Sequence, residues 1–147
     1  MLEEKHVVTC FLRHGGRILL LRRSQQVGTY QGKWAGVSGY LEMNDDEQAR
    51  TEIEEETGLG QGDIALVKKG APLEVIDGAL SRKWVVHPYL FDISDPAMVR
   101  IDWEHKEACW VNPGDLDRYP TVPGLKQTWE RVAGGQELEG KAGHKAI

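Results

Sequence analysis

The sequence predicts a single α/β domain, and three observations predict it. There are strand-like apolar runs near the start, a capped helix over residues 45–57, and further β-rich runs that lead to a second amphipathic helix. Residues 7–12 are apolar and β-branched, Arg13-His14-Gly15-Gly16 supplies a turn, and residues 17–23 resume around Ile18-Leu19-Leu20-Leu21, which predicts a β-hairpin. Residues 24–39 are punctuated by glycine, glutamine and aromatic side chains, so a loop with one short strand near its end is expected. Asn44 and Glu47 have the spacing of a capping box, Gly58 suits the left-handed position that closes a helix, and Ala49 and Ile53 give the stretch between them a narrow apolar face. Residues 64–76 and 82–93 read as strands, with a shorter one at 107–111. Residues 112–117 predict a capped turn, and Pro123-Gly124-Leu125 opens a helix in which Leu125, Trp129 and Val132 share a face.

A chain of 147 residues has the length of one domain. We place it at residues 1–134 and read 135–147, which lack apolar periodicity, as an unstructured tail. With 40% hydrophobic and 28% charged residues the composition is that of a globular protein. An acidic start where a signal peptide would be basic, and the lack of a long apolar run, lead us to expect neither a signal peptide nor a membrane span, and a cytoplasmic location. Cys10 and Cys109 lack any paired spacing and read as reduced core residues. The net charge of -5 excludes a broad nucleic-acid surface, which needs clustered Lys and Arg to displace counterions.

The chemistry is concentrated in the predicted helix. Glu52, Glu55 and Glu56 stand at i, i+3 and i+4 and crowd one face, where each like-charged pair costs roughly 0.2–0.5 kcal/mol. A solvated acidic face is the bland explanation of such a cluster. A hard divalent cation is the other, because Mg²⁺ takes carboxylate oxygens together with substrate phosphates. Context favours the cation: the stretch resembles the Nudix box, G-x5-E-x7-R-E-U-x-E-E-x-G-U with U a bulky aliphatic residue. Glu52, Ile53, Glu54, Glu55, Glu56, Thr57, Gly58 and Leu59 match its right half, and Gly39 and Asp45 its left half with Asp for Glu. Two departures stand out. Only five residues separate Asp45 from Thr51, where the family has seven, and Thr51 occupies the place of the family's Arg, with Arg50 about 100° away around the helix.

The resemblance covers residues 6–133, taking in the hairpin, Gly32-Lys33-Trp34 and Glu107-Ala108-Cys109-Trp110-Val111. It implies a Nudix α/β/α sandwich with a mixed central sheet, and an enzyme that substitutes at phosphorus in a small-molecule diphosphate. The substrate it implies is a nucleoside diphosphate derivative of nucleotide, nucleotide sugar or ADP-ribose type. Glu52 and Glu56 would ligate Mg²⁺, with Mn²⁺ as a substitute. Glu55 would ligate a second ion or take the proton of the attacking water, and Gly39 would hold a backbone carbonyl near the metal. In some members the base comes from a late loop, which makes Glu107 or Glu104 the alternative here. His105 has no orienting partner evident in the sequence and reads as a surface histidine. Arg22, Arg23 and Lys33 are candidates to grip phosphate. Trp34, in a Gly-rich loop, is the expected pocket wall, whereas Trp84 on a strand reads as packing. The related isomerase of isopentenyl diphosphate shares the fold, but Ala35-Gly36-Val37-Ser38 lacks the cysteine it requires. The shortened box and Thr51 motivate a second reading, a catalytically weak binding or regulatory module. A homodimer is the commonest assembly for such a chain.

Overall fold

In the computed structural model, which describes residues 1–134, strand β1 (Glu3–His14) is the spine of a mixed sheet. The tail at 135–147 lies outside the described residues. Gly15 and Gly16, both at positive φ, close the expected hairpin to β2 (Arg17–Arg23). The ladder between β1 and β2 holds only Arg13↔Ile18 and His14↔Arg17, and beyond it the two strands part. The opening is filled by β3 (Trp34–Ala35), paired with β2, and β4 (Val37–Tyr40), paired with β1. The one short strand expected there is thus two. They are separated at Gly36, where a Cβ would stand 2.9 Å from the Cys10 carbonyl oxygen.

On its other side β1 runs parallel to β7 (Arg82–Ile93), from Glu3↔Arg82 to Arg13↔Asp92. Residues 64–76, expected as one strand, form β5 (Ile64–Lys69) and β6 (Leu73–Asp77), both antiparallel to β7. The break has two causes. Pro72 offers no backbone N–H to a ladder, and Gly70 approaches the Arg131 carbonyl so closely that a Cβ would lie 2.7 Å from it. Strand β8 (His105–Val111) pairs with β2.

Helix α1 (Asp45–Thr57) has the bounds read from the sequence. Asn44 accepts a hydrogen bond from the Glu47 amide, and Gly58, at φ +80°, donates its amide to the Glu54 carbonyl. Its Ala49 and Ile53 pack on Val8, Cys10, Leu19, Leu21, Tyr89 and Phe91. The opposite face of the sheet presents Phe11, Ile18, Leu20, Trp34, Leu90 and Val111 to Leu116, Leu125 and Val132. The period of two along each strand divides the side chains between these layers, and the result is the expected α/β/α sandwich. The second helix, α2 (Leu125–Glu130), is shorter than its apolar spacing suggested, and Trp129 meets Phe11 edge to face at 5.2 Å. Cys10 is buried and Cys109 half-buried, and neither is bonded to the other. No described helix is long and apolar enough to cross a membrane.

Candidate active site

The split in the sheet brings the flank of α1 to a cleft. Gln48, Glu52 and Glu56 follow one another at i+4 and share that flank. Gly39 pairs with Val8 on the face beneath α1, and a Cβ on it would overlap the Glu52 carboxylate. The glycine is therefore a requirement of space, since Glu52 occupies the room that a side chain would need. Gln48 fixes Glu52 from the other side: its Nε2 donates to Glu52 Oε2 at 2.8 Å, while its Oε1 accepts from the Glu42 amide at 2.8 Å. Glu56 lies deeper, 2% exposed, and accepts from the Ser38 amide at 3.4 Å. Burial, joined by the charges of Glu104 and Glu52, holds the Glu56 carboxyl well above the ordinary carboxylate range. Burial also raises Glu52, opposed by the hydrogen bonds from Gln48 and Glu56.

Strand β8 supplies the opposite wall. His105 stands in register with Arg23 of β2, and both project to the α1 face. Contrary to the surface histidine expected from sequence, His105 is buried. Its Nδ1 lies 3.2 Å from Asp102 Oδ1 and its Nε2 lies 3.6 Å from Glu56 Oε1. Asp102 is the orienting partner that sequence reading did not find. Its i,i+3 spacing to His105 was visible, but only the turn before β8 makes the two side chains meet. Burial lowers the pKa of His105 while the Asp102 hydrogen bond opposes that shift. Glu104, whose carboxyl burial raises, is anchored by its own carbonyl accepting from the Ser24 amide at 2.8 Å. Arg23 is held by Nε donating to the Thr29 carbonyl at 2.9 Å.

A cleft of about 320 Å³ runs through the split, within the range of small-molecule sites. One end is lined by Glu52, Glu55, Glu104, Arg23 and Gly39, and the other by Tyr30, Tyr40, Val75, Trp84 and Val86. The structure therefore brings together Gly39, Glu52, Glu55 and Arg23 of the expected set, with Glu56 directly behind them. Glu107, Arg22, Lys33 and Trp34 do not line the cleft. Arg22 precedes Arg23 by one residue, so it projects to the opposite face, where its Nη1 donates to Glu107 Oε1 at 3.0 Å in an exposed pair. Glu107 shares its register and its face, so Glu104 is the late-loop carboxylate at the site. Trp34 is a core residue packed edge to face on Tyr119 at 5.8 Å, and the wall expected from it is Trp84, whose Nε1 donates to the Tyr30 hydroxyl at 3.0 Å.

Neither candidate for the box arginine reaches the acids. Thr51 Oγ1 contacts Met43 Sδ at 3.8 Å, and the Arg50 guanidinium lies over the Phe91 ring at 5.2 Å. Gln48, the Ser38 amide and His105 hold Glu52 and Glu56 instead. Among the described residues no three His, Cys, Asp or Glu side chains are already gathered as a metal cage. The donor set nevertheless fits a hard divalent cation: carboxylate oxygens on one flank of α1, Glu56 buried, Glu52 half-buried over a glycine whose missing side chain makes the room, and Glu55 exposed at the cleft.

An α/β/α sandwich whose sheet opens onto a helix of glutamates sets metal-binding carboxylates beside a cleft, an arrangement suited to chemistry on phosphate anhydrides. The model of the NUDIX domain matches residues 4–132, and the chain belongs to the Nudix family of hydrolases. Solved structures agree. A MutT NUDIX hydrolase from Burkholderia pseudomallei is 25% identical, with 88% of this chain and 98% of that one covered and a TM-score of 0.69. A MutT protein from Methanosarcina mazei Go1 is 24% identical, with 90% and 95% covered and a TM-score of 0.71. A bifunctional NMN adenylyltransferase/ADP ribose pyrophosphatase from Francisella tularensis, complexed with AMP and a Mn ion, shares the fold at 16% identity and a TM-score of 0.74. The match covers 91% of this chain and 42% of that one. No curated protein matches the chain.

Proposed function

We propose that the protein is a Mg²⁺-dependent pyrophosphohydrolase that cleaves the diphosphate of a nucleoside diphosphate derivative. The observation that carries this reading is a cleft that joins the box carboxylates to a group of aromatic side chains. The acidic end suits cation and diphosphate, and the Tyr30, Tyr40 and Trp84 rings suit a base or another flat group at one end of the substrate. Bound Mg²⁺, with Mn²⁺ as a substitute, would neutralise charge on the diphosphate oxygens and acidify a water. Glu52 and Glu56 would hold it, with Glu55 at the mouth for a second ion and the Gly39 carbonyl alongside.

This chain's own groups do the rest. Arg23, fixed by Thr29, offers its remaining N–H groups to phosphate oxygens. Glu104, which lines the cleft beside Glu52 and Glu55, takes the proton of the attacking water. Gln48 and Asp102–His105 orient Glu52 and Glu56. The apolar walls keep bulk water from the flat end of the substrate.

A panel of nucleoside diphosphate derivatives with Mg²⁺, read by the nucleoside monophosphate and the second phosphomonoester that cleavage of the anhydride forms, tests the reading. Glu56→Gln should reduce turnover by about 10²-fold or more, the scale for removing a preorganised charge-stabilising group. The engagement of Thr51 with Met43 and of Arg50 with Phe91, away from the acids, favours one competing reading, a binding module without turnover. Ligands that raise the melting temperature of the wild type and yield no product would establish that module instead.

A further inference from the structure

The loop of residues 24–33 joins the two ends of the cleft, which Thr29 and Tyr30 both line. It is closed at its base, where the Arg23 amide donates to the Lys33 carbonyl at 2.9 Å and the Gly32 amide to the Arg23 carbonyl at 2.8 Å. Above the base, two neighbouring residues serve opposite ends. Thr29 turns to the acidic end, where its carbonyl accepts from Arg23 Nε at 2.9 Å and its hydroxyl from Arg23 Nη2 at 3.4 Å. Tyr30 turns to the aromatic end, where its hydroxyl donates to Asp77 Oδ2 at 2.7 Å and accepts from Trp84 Nε1 at 3.0 Å.

The backbone is strained where the two meet. Tyr30 has φ +52°, a left-handed conformation that a bulky residue keeps only where its surroundings impose it. This torsion sets the angle between the Tyr30 frame and the Thr29–Tyr30 peptide plane, and so aims the Thr29 carbonyl. Relaxing φ to about −60° would rotate that plane by about 110° and take the carbonyl off Arg23. What holds the frame is the pair of bonds on the hydroxyl, together with a longer turn bond from the Lys33 amide to the Tyr30 carbonyl at 3.2 Å. With the hydroxyl removed, the turn bond is left to hold the frame, and the strain relaxes by turning the peptide that Arg23 depends on.

The far anchor is itself braced. Asp77 Oδ1 accepts from the Ala79 amide at 3.0 Å, and the Arg82 guanidinium lies over the Trp84 ring at 5.1 Å. Burial and the Asp77 bond push the Tyr30 hydroxyl up to about 12, so it keeps the proton that it donates.

We propose that Tyr30, through its hydroxyl, is a positioning residue for Arg23: bonded to Asp77 and Trp84, it sets the Thr29 carbonyl that aims the guanidinium at the phosphates of the substrate. The inference rests on the reading of Arg23 as the phosphate grip. Tyr30→Phe isolates the hydroxyl, because the ring that faces a flat group is kept. The first measurement needs no substrate. In a proton–nitrogen spectrum of the full chain, the Arg23 Nε–H signal is assigned by its absence in Arg23→Lys. It should exchange with solvent about tenfold faster or more in Tyr30→Phe than in the wild type. An unchanged exchange rate overturns the proposal. The second measurement is kcat/KM with Mg²⁺ on the hydrolysed member of the panel. Tyr30→Phe should lower it by about tenfold, within the roughly 10²-fold that a misplacement of about 1 Å costs. In the Arg23→Lys background the same change should cost nothing further, since the group it acts through is already gone. Equal losses in both backgrounds would make the hydroxyl a wall residue only and overturn the proposal. A wild type that hydrolyses no member of the panel refutes the pyrophosphohydrolase reading instead, and the exchange rate still decides whether Tyr30 positions Arg23.

Discussion

Replacing Gly39 by alanine tests how closely the sheet and the carboxylate helix are fitted. The new Cβ would lie within 2.5 Å of all three atoms of the Glu52 carboxylate group. Neither backbone can give way readily. Gly39 is paired with Val8 between Val7↔Tyr40 and Thr9↔Ser38, and α1 is pinned by Ala49 and Ile53, both fully buried. The Glu52 side chain is what yields, and regaining ordinary contact requires its carboxylate to retreat by roughly 1 Å, a misplacement that costs about 10²-fold in rate. That loss corresponds to about 2.7 kcal/mol of transition-state stabilisation. Stability falls less. The retreat breaks the 2.8 Å bond from Gln48, and a half-exposed charged hydrogen bond contributes about 1 kcal/mol or less once solvent screening is allowed for. The melting temperature should therefore drop by about 2–4 °C at most. The assay is kcat and KM with Mg²⁺ on the substrate that the panel identifies, beside thermal melts of both proteins. A Gly39→Ala protein with wild-type kcat would refute the placement of Glu52 at the reacting centre. A melting loss far beyond that range would show instead that the backbone had moved.

Four further outcomes follow from the same geometry. Glu104→Gln should lower kcat by about 10²-fold, the scale of a lost general base, while Glu107→Gln, in the exposed pair with Arg22, should leave it within about twofold. The reverse pattern would return the base to Glu107. Because burial raises the Glu56 carboxyl, the folded protein holds its proton at pH values where the unfolded chain has released it. Without Mg²⁺, stability should accordingly fall as pH rises above the ordinary glutamate value of 4.5, and Glu56→Gln should flatten that fall. Identical pH slopes in melts of the two proteins would contradict this. Arg13 Nε donates to Asp92 Oδ1 at 2.7 Å across the ends of β1 and β7, with side chains 8% and 13% exposed. Arg13→Ala removes the guanidinium from a mostly buried ion pair and should cost more than about 1 kcal/mol by chemical denaturation, the upper figure for an exposed pair. Gly124 sits at φ +77° with Val75 where a Cβ would go, so Gly124→Ala should destabilise by about 1–3 kcal/mol, and an unchanged denaturation midpoint would count against that packing.

What the sequence made legible was whatever is encoded locally. The limits of α1 follow from Asn44 and Gly58, and the shared flank of Glu52, Glu55 and Glu56 follows from the helical period alone. Errors arose where a residue's role depends on which face of a strand meets which layer. Arg22 and Arg23 are neighbours with identical chemistry, and only the register with β8 and the position of α1 sends Arg23 to the cleft and Arg22 to Glu107. For the same kind of reason Trp34 does not become the expected pocket wall, while Trp84 packs with Leu73 and Val86 as expected and also lines the cleft. The Gly-rich loop carries Trp34 into a ladder with Arg22 above the α2 layer, whereas Trp84 stands on β7 where Tyr30 can reach it.

On the proposed function, the departure at Thr51 would be compensated by residues to which the box pattern assigns no part. An arginine on this helix would steady the acids by charge, and in doing so would favour their ionised forms. Gln48 steadies Glu52 with a neutral amide whose other end is anchored on the Glu42 amide, and His105 approaches Glu56 from a ring whose charge burial suppresses. Neither supplies a full positive charge, so the glutamates keep their raised carboxyls until a cation arrives. Orientation and charge compensation would thereby be separated in the proposed enzyme: protein dipoles set the geometry, and the neutralising charge would be left for the divalent ion to provide.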